Sequence, residues 1–262
     1  MSMVIFTFIN QKGGSGKSPA TINTAYALAR TGGKVLIVDS DPQATVTEYL
    51  LGVPYPVDEP PHIVHPSLYH ALKEIKKVDP LVINEKIHLL PANNDLQKAE
   101  IELLTKANYQ TRTQKVLQLY AQEYEYCVID TPGNVNMLTI LALGAADQAL
   151  VPVKSELTHI RPLIATLATI KDVQESGLNP RLKLWGMMVT QHKLSPLHNS
   201  EVVEVLKRQY ADILYPEIST ETTKYNDAAT LKGDVSVLDA ELAKFWDRLV
   251  QSLLENEKRR EV

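Results

Sequence analysis

A single cysteine, Cys127, occurs among the 262 residues, inside an apolar run. One thiol excludes a disulfide framework, a zinc cluster of the multi-cysteine kind and a self-sufficient iron–sulfur site, and it fits a reducing compartment. Long apolar runs are missing too: nothing approaches the ~18 residues that span a bilayer, and Met1 leads into a strand-like segment without the charged and apolar regions of an export signal. Neither membrane spanning nor secretion is expected. Positive charge is not in excess either. The chain carries 27 Lys and Arg against 31 Asp and Glu, and residues 151–262 alone hold 15 against 16. Any contact with nucleic acid must therefore come from a local patch, or from one assembled by oligomerisation. What remains, 44% hydrophobic and 22% charged residues, is the composition of an ordinary globular protein with a substantial core.

Met3–Ile9 is a short, nearly continuous apolar run that ends in a glycine-rich turn, as a strand buried on both faces does. Thr21–Arg30 follows with helical spacing of Ile22, Ala25, Tyr26 and Ala29 and stops at Gly32-Gly33. Lys34–Asp39 is a second buried strand, so the unit is a right-handed parallel crossover. Further strands are expected at Ile87–Leu90, Tyr126–Asp130, Gln148–Val153 and Leu182–Val189. Helical stretches between them lie near 67–77, 94–106, 112–123, 136–145, 158–175 and 200–210. Such alternation predicts an α/β fold with a doubly wound, mostly parallel sheet flanked by helices on both faces. Val53–Pro66 holds five prolines and reads as a surface loop, with His62 and His65 solvated rather than bound to metal. No internal repeat or linker interrupts the pattern, and residues 1–262 are expected to form one domain.

Between the first strand and the first helix stands Lys12-Gly13-Gly14-Ser15-Gly16-Lys17-Ser18. Backbone N–H groups and a helix N-terminus can wrap polyphosphate there. Gly13, Gly14 and Gly16 let the backbone approach the phosphates, Lys17 is placed to reach the β and γ oxygens, and the Ser18 hydroxyl to bind Mg²⁺. The general pattern G-x-x-x-x-G-K-[ST] fails at Gln11, which stands where its first glycine belongs; the form present is K-G-G-x-G-K-[ST]. Two acidic sites close strands nearby: Asp39-Ser40-Asp41-Pro42-Gln43, and Asp130-Thr131-Pro132-Gly133 after the run Cys127, Val128, Ile129. Turn formation alone accounts for either taken singly. Together with the loop they place carboxylates beyond strand C-termini, where ligands of doubly wound sheets bind.

K-G-G-x-G-K-S, D-x-D-P-Q, an apolar strand ending D-x-P, and Leu89-Leu90-Pro91-Ala92 with Asp95-Leu96 and Ala99-Glu100 together resemble the ParA family of deviant Walker ATPases. The resemblance runs from about residue 3 to about 165 and fades afterwards. It implies a P-loop ATPase with ATP and Mg²⁺ as cofactors, a homodimer formed on ATP binding with two nucleotides sandwiched between subunits, non-specific DNA binding by that dimer, and hydrolysis stimulated by a cargo-bound adaptor, ParB-like or McdB-like. Carried over residue by residue, Lys12 resembles the signature lysine that reaches the partner's nucleotide, and Lys17 the P-loop lysine of its own subunit, within the cradle Gly13, Gly14, Ser15 and Gly16. Ser18 and Asp130 would hold Mg²⁺, Asp130 through water. Asp41 is similar to the aspartate that orients the attacking water, and Asp39 to a magnesium-side or structural partner. Phosphoryl transfer needs charge neutralisation and in-line water placement more than covalent chemistry, which such residues supply.

Two positions depart from the family. Pro19 stands where a threonine is usual and offers no N–H, a group that commonly meets the α-phosphate in this fold. Lys154 follows the strand Gln148–Val153 where many relatives have an uncharged residue. In the McdA-type, carboxysome-positioning branch a lysine remote from the P-loop reaches the partner's nucleotide; Lys154 is similarly placed, and a plain surface lysine is the other reading.

The loop begins at residue 12, so no N-terminal helix-turn-helix repressor domain is expected. Candidate DNA contacts are Lys207, Arg208, Lys224, Lys232, Lys244 and Arg248, each of which also reads as part of a solvated helix face. The expected setting is cytoplasmic and nucleoid-associated, with a plasmid, a chromosome region or a protein organelle as cargo. The rivals are a membrane-associated regulator of the MinD type and a nucleotide-switched scaffold. The first would use Phe245, Trp246, Leu249, Val250, Leu253 and Leu254 as an amphipathic face, which a terminal helix packed on the domain explains equally.

Overall fold

The computed structural model describes residues 3–53, 55, 66–192, 198–220 and 222–258. Most of the proline-rich stretch, with His62 and His65, lies outside them. Eight strands form one sheet: β1 (Val4–Phe8), β2 (Val35–Asp39), β3 (Leu81–Val82), β4 (Ile87–Leu90), β5 (Tyr126–Asp130), β6 (Gln148–Val153), β7 (Lys183–His192) and β8 (Leu214–Thr220). Their order is β3-β4-β2-β5-β1-β6-β7-β8, and every neighbouring pair is parallel except β3 with β4. Strands β2 to β5 lie on one side of β1 and β6 to β8 on the other. The C-terminal end of β1 is thus a topological switch point, where a sheet of this kind opens a crevice for ligands.

The helices are α1 (Lys17–Arg30), α2 (Thr45–Leu51), α3 (Leu68–Glu74), α4 (Leu96–Glu102), α5 (Arg112–Gln118), α6 (Met137–Ala145), α7 (Ile160–Glu175), α8 (His198–Gln209), α9 (Lys224–Thr230) and α10 (Ala240–Lys258). Side chains alternate along each central strand, so the sheet has a core on each face. In β2, Val35 and Ile37 join Phe6, Phe8 and Val128 beneath α1 and α10, whereas Leu36 and Val38 join Cys127 and Ile129 beneath α3 to α6. Ala149, Val151 and Val153 pack with Leu163, Ile170 and Leu206 beneath α7 and α8.

Four elements have no counterpart among the expected ones: β3, β8, α2 and α9. Pro216 interrupts the β8 pattern, but β8 is an edge strand, where a missing N–H costs no ladder bond. α2 is a single short stretch that starts after Ala44 at φ 53°, and its β-branched threonines and valine do not read as helix.

α10 decides what the amphipathic C-terminal stretch does. Phe245, Trp246, Leu249, Val250 and Leu253 are all buried in the core shared with α1, and Phe245 and Trp246 stack edge to face with each other and with Tyr215 and Tyr225. Arg30 of α1 ties the helix down through Asp247, 2.7 Å away, and bonds the buried Asp234 at 2.6 Å. The face considered for a membrane is spent inside the protein. No helix among the described residues is long and apolar enough to cross a membrane.

Candidate functional site

The loop between β1 and α1 is fastened from three directions. Asn10 donates from Nδ2 to Pro152 O at 2.8 Å at the end of β6 and accepts from Lys12 N at 2.9 Å. Gln11, the residue that breaks the general motif, donates from N to Thr166 Oγ1 and from Nε2 to Thr169 Oγ1, both on α7. Thr190 of β7 donates to Ser15 O at 3.1 Å. Gly16 then turns the chain into α1 with φ 89°, a left-handed conformation that a side chain would strain. The N-terminus of α1 has no side-chain cap and no acidic residue in its first turn, which leaves its N–H groups and partial positive charge for an anion.

Pro19 is the third residue of α1. The first intrahelical bond here runs from Ala20 N to Gly16 O at 3.0 Å, so the missing N–H of Pro19 removes no helix bond. Any cost of the missing N–H therefore lies outside the helix ladder. Pro19→Thr is expected to tighten ATP binding by about 1 kcal/mol, roughly fivefold. Titration with a fluorescent ATP analogue checks this, and equal or weaker affinity in the variant refutes it.

Lys17 is buried, and its Nζ donates to Asn10 O at 3.3 Å. Burial lowers its pKa, opposed by the charges of Asp130 and Asp41. Gly133, after the Asp-Thr-Pro turn of β5, crosses closely over the loop: a Cβ there would sit 3.2 Å from Gly13 Cα and 3.8 Å from Lys17 Nζ. Lys12 is partly exposed on the rim and forms no ion pair among the described residues. Lys154, just past β6, is half-buried on the same side. The placement shows in His159, which burial holds below its usual range; Glu156 pulls the other way, and Lys12, Lys154 and Lys17 all add to the depression.

The acidic half rests on strand register. Asp39 and Asp130 are the last residues of β2 and β5 and are paired neighbours across the two strands, both fully buried. Asp130 accepts from Ser18 Oγ at 2.8 Å and from Thr21 Oγ1 at 3.1 Å. Asp39 accepts from Thr47 through both N–H and Oγ1, and from Asp41 N at 3.1 Å. Asp41 is half-buried and accepts from Gln43 N at 2.9 Å. Both buried carboxyls are pushed up. Asp39 rises to about 8, by burial and then by the Asp130 charge, against hydrogen bonds from Thr47 and Asp41. Asp130 rises to about 6, by burial first, against the Ser18 hydrogen bond and the Lys17 charge.

The residues present fit Mg²⁺ and a nucleoside triphosphate. The uncapped α1 terminus, the buried Ser15 hydroxyl without a partner and the buried Lys17 make an anion cradle. The Ser18–Asp130 pair offers a hydroxyl and a carboxylate side by side. Among the described residues no cluster of three or more His, Cys, Asp or Glu could hold a metal ion. The structure brings Lys12, Lys17, Ser18, Asp39, Asp41, Asp130 and Lys154 to one end of the sheet. Thr21, Thr47, Gly133 and the fastening residues Asn10, Gln11 and Thr190 were not singled out from sequence for these contacts. Of these, Gly133 alone carried a signal, its place after Asp-Thr-Pro.

The six candidate DNA-contacting cations fare less uniformly. Lys207 pairs with Glu204, Lys224 with Asp239, Lys244 with Glu241, and Arg248 with Glu217 through two bonds of 2.6 Å. Lys232 is exposed at φ 52° in the turn after α9, and Arg208 is exposed on α8.

Comparison with known proteins agrees with this geometry. The model of the AAA domain family matches residues 3–184. The chromosome partitioning protein ParA of Myxococcus xanthus is 33% identical over 219 residues, covering 81% of this chain and 75% of that protein. Cobyrinic acid a,c-diamide synthase from Mycobacterium smegmatis, solved with ADP and magnesium bound, is 27% identical with a TM-score of 0.79 over 98% of this chain and 96% of its own. Apo McdA of Cyanothece shares the fold, with a TM-score of 0.83 at 24% identity over 96% of this chain and 99% of its own. On the phosphate loop, the two strand-end aspartates and this kinship, the chain belongs to the ParA family of P-loop partitioning ATPases.

Proposed function

We propose that residues 1–262 act as one Mg²⁺-dependent ATPase unit that dimerises on binding ATP, grips DNA without regard to sequence, and lets go on hydrolysis, thereby positioning a cargo. The observation that carries this reading is Lys12: partly exposed beside an open phosphate loop and without an ion pair among the described residues, it is available to a second nucleotide. A cation supplied across a dimer acts as an arginine finger does and couples hydrolysis to assembly. Lys154 lies on the same rim and is the second candidate for that reach.

Within one subunit, Gly13, Gly14, Ser15, Gly16 and the start of α1 cradle the phosphates, and Lys17 neutralises the β and γ oxygens. Ser18 and Asp130 would hold Mg²⁺, which supplies charge neutralisation when bound. Asp41 orients the attacking water, and Asp39 stands behind it. The dimer doubles whatever cationic patch one subunit offers, Lys232 included, and its DNA grip makes the protein nucleoid-associated in the cytoplasm. A ParB-like or McdB-like adaptor on the cargo stimulates turnover. The burial of the α10 apolar face weighs against the MinD-type membrane reading.

The test is binding to DNA fragments of arbitrary sequence with ATP, ADP or no nucleotide at two salt concentrations, for wild type and Asp41→Ala. Binding with ATP alone, falling steeply with salt and prolonged by Asp41→Ala, is the expected result. Dimerisation with ATP but no DNA binding overturns the DNA step and favours a nucleotide-switched scaffold; ATP-dependent flotation with liposomes would restore the membrane reading.

A further inference from the structure

Asp39 is completely enclosed, and the donors around it come from the segment that follows it. Thr47 donates to Oδ2 twice, from N at 2.9 Å and from Oγ1 at 2.7 Å. Asp41 N donates to Oδ1 at 3.1 Å. Thr47 is itself fully buried, and its hydroxyl oxygen accepts from Ala92 N at 3.0 Å, just past the end of β4. The hydroxyl therefore ties its own helix α2 to two strand exits, the carboxylate ending β2 and the turn leaving β4. Asp130 is engaged differently, by the hydroxyls of Ser18 and Thr21 on the phosphate-loop helix. One carboxylate faces the loop that binds phosphate, and the other holds the loop that carries Asp41.

We propose that Thr47 and Asp39 form a positioning pair for the hydrolytic step: Thr47 fixes the Asp39 carboxylate, Asp39 fixes the main chain of Asp41, and the Asp41 side chain is thereby held where it orients the attacking water. On this arrangement Asp39 is not a magnesium ligand, and that role belongs to Asp130 with Ser18. Hydrogen-bonded groups behind a reacting shell typically alter activity by about 10- to 100-fold when removed. The inference rests on the reading of Asp41 given above.

Three variants separate the possibilities. Thr47→Val removes the hydroxyl but keeps the shape and the main-chain donor, Thr47→Ser restores the hydroxyl, and Asp41→Ala tests the underlying reading. Two quantities are measured on the full chain: single-turnover ATP hydrolysis, and the Mg²⁺ concentration that half-saturates binding of a fluorescent ATP analogue. Thr47→Val is expected to slow hydrolysis about 10- to 100-fold with Mg²⁺ half-saturation within about twofold of wild type, and Thr47→Ser to recover most of the rate. A Mg²⁺ half-saturation raised tenfold alongside the rate loss would make Asp39 a metal-side group and overturn the proposal. So would unchanged hydrolysis in Thr47→Val while Asp41→Ala is inactive. If Asp41→Ala itself hydrolyses normally, the Asp41 reading fails and the positioning pair with it. Should Thr47→Val not fold, Thr47→Ala, which adds no bulk, is judged by the same criteria.

Discussion

Lys17→Met is expected to lower kcat/KM for ATP by at least about 10²- to 10³-fold, the scale on which a single charge-stabilising group counts in a preorganised site. The same change should leave the nucleotide-free protein folded, with stability within about 1 kcal/mol of wild type. The two halves have one cause. Lys17 Nζ is buried with a single long hydrogen bond to Asn10 O, and burial depresses its pKa despite the neighbouring Asp130 and Asp41. Without phosphate, a desolvated ammonium contributes little to folding, and methionine fills the same channel. With phosphate bound, the same buried ammonium would face the charge it neutralises. Steady-state ATPase kinetics and chemical denaturation of both proteins check the pair of outcomes. A Lys17→Met protein with normal kcat/KM, or one that unfolds, would contradict it.

The second large effect concerns protons. Outside the fold both Asp39 and Asp130 ionise near 3.8, whereas inside it Asp39 holds its proton to about 8 and Asp130 to about 6. Across that window the native state binds more protons than the unfolded state. Stability of the nucleotide-free protein is therefore fully present below 3.8 and falls as pH climbs towards about 8. A divalent cation held by Asp130 and Ser18 competes with the Asp130 proton and leaves that of Asp39 in place. Mg²⁺ affinity in the presence of ATP should rise with pH by up to about tenfold per unit below about pH 6 and level off above it, and binding at about pH 5 should release close to one proton. Calorimetry in two buffers of different ionisation enthalpy counts that proton, and denaturation at pH 6, 7 and 8 without Mg²⁺ follows the stability. Asp39→Asn should flatten the second profile. Mg²⁺ affinity independent of pH would sink the idea.

The sheet and the phosphate loop were legible because each strand there is a continuous apolar run closed by a turn signal. Tyr126–Asp130 and Gln148–Val153 read from the sequence match β5 and β6 to the residue. What escaped depends on partners far along the chain. α2 is short and β-rich in composition, and it holds its place through Thr47 on Asp39 and through Tyr49, whose hydroxyl meets Tyr225 O and Gly233 O some 180 residues away. β8 was hidden by Pro216, which an edge strand tolerates. Gln11 looked only like a broken motif, since the two α7 threonines that receive its donors stand more than 150 residues on. The candidate site was readable as a set of residue types, and its wiring was not.

The pairing of Asp39 with Asp130 has a further consequence for how this protein can change over time. Their separation is set by one rung of the β2–β5 ladder, not by the stretch of chain between them. Insertions and deletions anywhere in that stretch's loops leave the two carboxyls the same distance apart. A single residue gained or lost inside either strand would turn one of them to the opposite face of the sheet. The reaction centre thus tolerates drift in length where the chain is long, and forbids it in two strands of five residues each.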